Sequence, residues 1–415
     1  MNAPIRTGHL RLLAPAAVAT ACLALAPAAV LAQAAPSEHW VGTWGASPSD
    51  PLPGAATPTP SYADQTLREI AHISIGGRSL RLRFSNALGT TALTLGPVHV
   101  ARSAGNDAIV AQSDRTLTFS GQQTITIPVG ALAISDPVDL PVAAQSDLAV
   151  SVYVPPQTGP LTQHSLGTQT SYVVSGNSTG SVRLDSPATT TTRPLLSGIE
   201  VMAPARSVAV VTLGDSITDG YRSTVDLNRR WPDDFARRLQ GRFGNAVGVI
   251  NEGISGNRVI NEGAGPNAEE RLDRDVLAQP GVRYVTLLDG INDIGNSTRP
   301  GQAASAEDII AGYRQIIARA HDSGLKIYGA TMPPFVGAGY ATADGEAKRE
   351  AVNEFIRNGG QFDGVLDFDQ AIRDPANPTR MLPAYDSGDH LHPNDDGYEV
   401  MAYSINLALF QPTAR

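Results

Sequence analysis

Gly214-Asp215-Ser216-Ile217 opens a short glycine-bounded stretch that closes at Gly220. Glycines on both sides suit a tight strand-to-helix turn, in which a small hydroxyl residue is lifted towards solvent. A serine hydroxyl is a weak nucleophile at its ordinary pKa, so this chemistry needs a base. A candidate base lies far downstream, in Asp386-Ser387-Gly388-Asp389-His390-Leu391-His392-Pro393-Asn394. Histidine works as a base near neutral pH, and a carboxylate three residues earlier can orient its ring. Asp389 and His392 have that spacing, with Asp386 and His390 as second choices in the same loop. Two histidines and two aspartates are also a donor set for zinc, so a metal loop is the competing reading.

Acyl transfer to a serine further requires hydrogen-bond donors for the developing oxyanion. Two segments offer them. In Asn251-Glu252-Gly253-Ile254-Ser255-Gly256-Asn257-Arg258 a glycine can present an unobstructed backbone N–H, with Gly256 and Gly253 both available. In Asp289-Gly290-Ile291-Asn292-Asp293 the Asn292 amide is a neutral donor, although an Asx-type turn would explain it equally well. Each segment alone reads as a turn or a cap.

What joins them is the texture of the chain around them. From residue 207 onward, uninterrupted apolar runs at 208–213, 247–250, 284–288 and 326–330 alternate with helical periodicity near 231–241, 306–323, 345–358 and 397–410. Such runs indicate a parallel sheet covered on both faces, a doubly wound α/β domain. Ligands of these folds bind beyond the carboxyl ends of the strands, which is where all four segments fall, in order.

Residues 40–174 differ. Short period-two runs such as Leu80-Arg81-Leu82-Arg83-Phe84 and Leu148-Ala149-Val150-Ser151-Val152-Tyr153-Val154 are bounded by Gly, Pro, Asn and Asp, and predict half-buried antiparallel strands. We expect an all-β sandwich, jelly-roll-like, over 36–174, with Gly76-Gly77 as a hairpin signal. Residues 175–206, rich in Thr, Ser, Gly and Pro, read as a linker or a last edge strand before the α/β domain at 207–415.

Composition narrows the partners. An apolar share of 42% against 17% charged residues excludes wholesale disorder. A net charge of −9 without a run of Lys or Arg argues against nucleic acid and anionic membrane surfaces. Arg6 and Arg11 precede the apolar stretch 12–31, which ends in Ala32-Gln33-Ala34; this predicts a signal peptide over 1–34 and a secreted or periplasmic protein, with a membrane anchor as the alternative. Cys22 is the only cysteine and lies inside that stretch, so the remainder has neither a disulfide nor a thiolate nucleophile.

Residues 207–409 resemble the SGNH hydrolases, also called GDSL-type esterases and lipases. Gly214-Asp215-Ser216-Ile217 is similar to the first family block, with Ile217 where Leu is usual. Ser255-Gly256-Asn257 is similar to the second, Gly290-Ile291-Asn292-Asp293 to the third and Asp389-His390-Leu391-His392 to the last. The resemblance implies a three-layer α/β/α, flavodoxin-like domain that hydrolyses esters with no metal or other cofactor. It implies Ser216 as nucleophile, His392 as proton shuttle and Asp389 as its orienting partner. The Ser216 N–H, the Gly256 N–H and the Asn292 side chain would form the oxyanion hole. Secreted two-domain members with a β-domain ahead of the hydrolase include carbohydrate esterases. The expected substrate is therefore a small ester or an acylated polysaccharide, most readily an acetylated one. A lipase, lysophospholipase or arylesterase is the rival, with Met332-Pro333-Pro334-Phe335-Val336 as its acyl groove; an acyltransferase and a non-catalytic binding protein stand behind it. Trp40, Trp44 and Tyr62 are candidates either for stacking on sugar rings or for the core and the interdomain seam, and His164 reads as a surface or seam residue.

Overall fold

The structure, a computed structural model, describes residues 1–4, 8, 38–49, 62–157, 159–297 and 299–412. The signal-peptide reading, with its apolar stretch at 12–31 and cleavage pattern, lies outside the described residues.

The α/β domain follows from its apolar runs. Val208–Gly214 is buried along its whole length and sits inside a five-stranded parallel sheet. In order across the sheet the strands are Val247–Gly253, Val208–Gly214, Val282–Leu288, Lys326–Ala330 and Gly364–Leu366. That is the flavodoxin-like order, in which the chain direction across the sheet reverses between the first and third strands to appear. Side chains alternate between the two faces. Val208 and Val210 pack with Trp231, Phe235 and Met401 under helices Trp231–Phe243 and Asp395–Ser404. Ala209 and Val211 face Ile309, Tyr313, Ile316 and Val352 under Ala306–Asp322 and Ala343–Asn358. The last helix stops at Ser404, short of the expected 410, because Ile405 is extended and only a 3₁₀ turn, Leu407–Leu409, follows.

Ahead of it stands a two-sheet antiparallel sandwich. One sheet orders Glu38–Gly45, Leu196–Pro204, Gly77–Ser85 and Val138–Val142; the other is centred on Gln65–Ile73, Ser146–Val154 and Val98–Gly105. Leu80, Leu82 and Phe84 meet Leu148, Val150 and Val152 in the core between them. Two sequence expectations fail here. Gly76-Gly77 closes no hairpin, since Gln65–Ile73 and Gly77–Ser85 belong to opposite sheets. The glycine is there for close packing: a Cβ on Gly76 would stand 2.2 Å from the Val142 carbonyl oxygen. Nor is 175–206 a linker: Ala188–Thr190 is an edge strand of the larger sheet, but the last strand before the α/β domain, Leu196–Pro204, is interior and runs between Glu38–Gly45 and Gly77–Ser85. Its polar flanks hid an interior strand.

Sandwich and parallel sheet share one compact unit, Pro36–Arg415. The outermost strand of the parallel sheet, Val247–Gly253, would expose unpaired backbone groups if left bare. The sandwich covers it. Ser74 Oγ accepts the Val249 N–H at 2.9 Å, and the Asn245 side chain bonds both backbone groups of Gly76 at 2.6 and 2.7 Å. Gly42 N–H donates to the Pro280 carbonyl at 2.9 Å. The approach leaves no room for side chains: a Cβ on Gly248 would lie 2.4 Å from the Gly42 carbonyl oxygen. We therefore expect Gly248→Val to overpack the seam and cost about 1–3 kcal/mol of stability. Urea denaturation followed by tryptophan fluorescence measures this, and a wild-type midpoint would contradict a tight seam.

Candidate active site

The switch point of the sheet gathers the residues that the sequence singled out. Asp215 caps the short helical turn Ser216–Asp219, its side chain accepting the Ile217 N–H at 2.9 Å, and the turn ends at Gly220 with φ +96°. Gly214 is required before it, because a Cβ there would meet the Leu288 carbonyl at 2.3 Å and Thr218 Oγ1 at 2.4 Å. Ser216 is thereby the first residue of a turn, where a helix leaves backbone N–H groups without internal partners.

Asn394 caps helix Asp395–Ser404 through the Gly397 N–H, and a bridge between Asp386 and Pro393 folds the preceding loop back on itself. This places His392 Nε2 at 2.8 Å from Ser216 Oγ. On the other side of the ring, Nδ1 lies 2.9 Å from Asp389 Oδ2. A carboxylate only accepts, so Nδ1 carries the proton and Nε2 is left to accept from the serine. Asp389 is itself fixed, its Oδ1 taking the N–H groups of Leu391 at 3.0 Å and His392 at 2.8 Å. Burial pushes its carboxyl up, but these bonds and the His392 ring outweigh it and hold Asp389 well below the usual carboxylate range. Tyr221 stands edge-on to the His392 ring with centroids 4.7 Å apart, and its carbonyl is held by Tyr398 Oη at 2.7 Å. Arg222 Nε reaches Asp389 Oδ2 at 3.3 Å. The alternative pair in the loop forms separately: His390 Nδ1 lies 2.6 Å from Asp386 Oδ2.

The donor side is built from the neighbouring strand ends. Gly256 has φ +85°, a conformation open to glycine, whereas Gly253 ends its strand packed on the turn Ser216–Asp219. A Cβ on Gly253 would lie 2.2 Å from the Asp219 backbone nitrogen, so Gly253 serves packing. Asn292 Nδ2 donates to the Asn257 carbonyl at 2.9 Å, and Asn292 Oδ1 accepts from Tyr340 Oη at 3.3 Å. The amide is thus oriented, with its second N–H still to give. Asp293 takes the Val259 N–H at 2.7 Å and ties the third segment to the second; burial pushes its carboxyl up to about 6.

Sequence reading missed the group beneath. Arg271, fully buried, donates to the carbonyls of Gly214 at 2.9 Å and Glu252 at 2.6 Å, and to Asn257 Oδ1 at 2.9 Å. One guanidinium therefore links the first strand end to the second and to the loop after it. Its only trace in the sequence is the four-residue spacing from Asp275, its partner at 3.1 Å. Trp44 and Tyr62 are buried, so for these two the core reading holds over the sugar-stacking one, whereas Trp40 is half-buried with the Arg81 guanidinium 4.5 Å over its ring.

Residues 212–400 match the model of the GDSL-like Lipase/Acylhydrolase family. This part of the chain is a GDSL-like lipase/acylhydrolase domain. No curated protein sequence matches the chain. Among solved structures it is similar to a GDSL-like lipase from Bacteroides thetaiotaomicron, at 19% identity over 48% of this chain and 87% of that one, with a TM-score of 0.38. It is similar also to an acetylxylan esterase from Geobacillus stearothermophilus, at 20% identity over 48% and 91%, TM-score 0.38. A third is an alpha/beta hydrolase enzyme from the metagenome of Lake Arreo, at 22% over 48% and 94%, TM-score 0.38.

The geometry of the GDSL-like domain predicts a hydrogen-bonded Nδ1 proton on His392. Proton NMR of the full chain should show a downfield ring resonance that disappears in Asp389→Ala. A spectrum unchanged by that substitution would contradict the assigned tautomer.

Proposed function

We propose that the chain is an exported serine esterase working through an acyl-enzyme, with Ser216, His392 and Asp389 as its triad. The 2.8 Å contact between Ser216 Oγ and His392 Nε2 carries the reading. Ser216 Oγ attacks the ester carbonyl carbon as His392 Nε2 takes its proton, and Asp389 stabilises the imidazolium that results. The oxyanion of the tetrahedral intermediate is held by the N–H groups of Ser216 and Gly256 and by Asn292 Nδ2. His392 returns the proton to the departing alcohol, and water, activated by the same ring, releases the acid.

For the acyl group we favour a short one, acetyl on a polysaccharide. The segment that would line a long acyl groove is used elsewhere: Met332, Pro333, Pro334 and Phe335 are all buried, and the Met332 carbonyl is bound by Arg349 and Asn353. Phe335 packs against Tyr340 with centroids 6.1 Å apart. A lipase reading keeps one point of support, the exposed Val225 and Leu227 on the loop that follows the nucleophile's turn.

Comparing p-nitrophenyl acetate, octanoate and palmitate separates the two, with kcat/KM expected to fall as the chain lengthens. A preference for palmitate would remove the acetylesterase reading. Ser216→Ala should abolish turnover of every ester while the fold persists; near-normal activity would sink the nucleophile. Asn292→Ala should lower kcat by about 10²–10³-fold, as loss of one oxyanion donor does elsewhere.

A further inference from the structure

Outside the triad, one histidine is buried against the catalytic turn. His164 lies in the short sandwich strand Gln163–His164, and its side chain is 7% exposed. Its Nδ1 faces the Ser47 carbonyl at 2.9 Å. Its Nε2 faces the Leu166 carbonyl at 2.8 Å and Asp219 Oδ1 at 3.0 Å. Every one of these partners only accepts. A neutral imidazole would set a lone pair against an oxygen at one nitrogen or the other, so the contacts call for a ring protonated at both.

Asp219 ends the turn that begins with Ser216. Its other oxygen, Oδ2, accepts the Ser255 N–H at 2.8 Å and the Ser255 hydroxyl at 2.7 Å. Ser255 immediately precedes Gly256. One carboxylate thus grips the oxyanion loop and the nucleophile's turn, and the sandwich supplies its counter-charge. We infer that His164 is a positioning residue: as an imidazolium it holds Asp219, and through Asp219 it sets the Gly256 N–H relative to Ser216. The inference rests on the proposed catalytic reading and adds to it a role for the β-domain, which completes the site from outside the α/β fold.

The surroundings are charged. Arg193 stands opposite His164 in the strand pair, with Glu69 3.9 Å beyond it. Asp219 also feels Arg230 and Asp215, and Ser47 is bonded to Glu252, Asp275 and Arg271. Burial works to strip the proton from His164, but the Asp219 charge and the three hydrogen bonds outweigh it and raise the pKa above the ordinary histidine value. The ring therefore holds its second proton to higher pH than an unperturbed histidine does, and the tether is lost as pH rises through the folded-state pKa.

The test is His164→Gln in the full chain, assayed with p-nitrophenyl acetate. Glutamine can donate to Asp219 but carries no charge. We expect kcat to fall by about 10²-fold, the scale of a displaced catalytic geometry, with KM changed by less than about threefold. The alkaline decline of wild-type kcat should be absent in the variant, while fluorophosphonate still labels Ser216 stoichiometrically. A kcat within about threefold of wild type, or a change in KM alone, would overturn the inference. Should the variant not fold, nitrogen-15 NMR of the wild-type ring decides: both ring nitrogens protonated at neutral pH supports the tether, and a neutral ring overturns it. Failure of the esterase reading is seen separately, as ester turnover surviving in Ser216→Ala.

Discussion

A 2.8 Å contact joins a hydroxyl and an imidazole that are 176 residues apart in the chain. Nothing local can produce it, so the remaining structure serves to bring those two atoms together and keep them so. The parallel sheet does most of this. Its order reverses between Val208–Gly214 and Val282–Leu288, and the strand ends there deliver Ser216 and Asn292 to one crevice. His392 arrives on a loop clamped between Asp386 and the capped helix Asp395–Ser404, and Asp389 sets its tautomer.

Strand ends are also where a sheet is least restrained, since their carbonyls leave the ladder. Arg271 answers this with one buried cation shared among Gly214, Glu252 and Asn257. A second restraint enters from the sandwich, which covers the outer strand Val247–Gly253 through Ser74 and reaches the turn Ser216–Asp219 through His164. The β-domain is therefore better described as part of the site's scaffold than as an appended module.

Much of this was legible beforehand where a single physical rule decides the outcome. Largely apolar runs such as 208–213 read as covered strands, and Gly214, two residues ahead of Ser216, suits a close turn. The family blocks then located Asn292, Asp389 and His392. What escaped were features that depend on partners distant in sequence. Gly76-Gly77 has hairpin composition, yet the chain passes there between sheets because Val142 lies 2.2 Å from where a side chain would begin. Leu196–Pro204 hid within a polar stretch because its neighbours bury it, and Gly364–Leu366 is too short for periodicity to register. Arg271 and His164 looked like ordinary polar residues, since a buried charge declares itself only through acceptors that the fold assembles around it.

The central claim is that one serine is made nucleophilic by one imidazole. Treating the full chain with a fluorophosphonate and locating the adduct by peptide mass spectrometry tests this most directly. The account predicts a single adduct on Ser216, formed far more slowly in His392→Ala. An adduct on another residue, or equal labelling without His392, would contradict it.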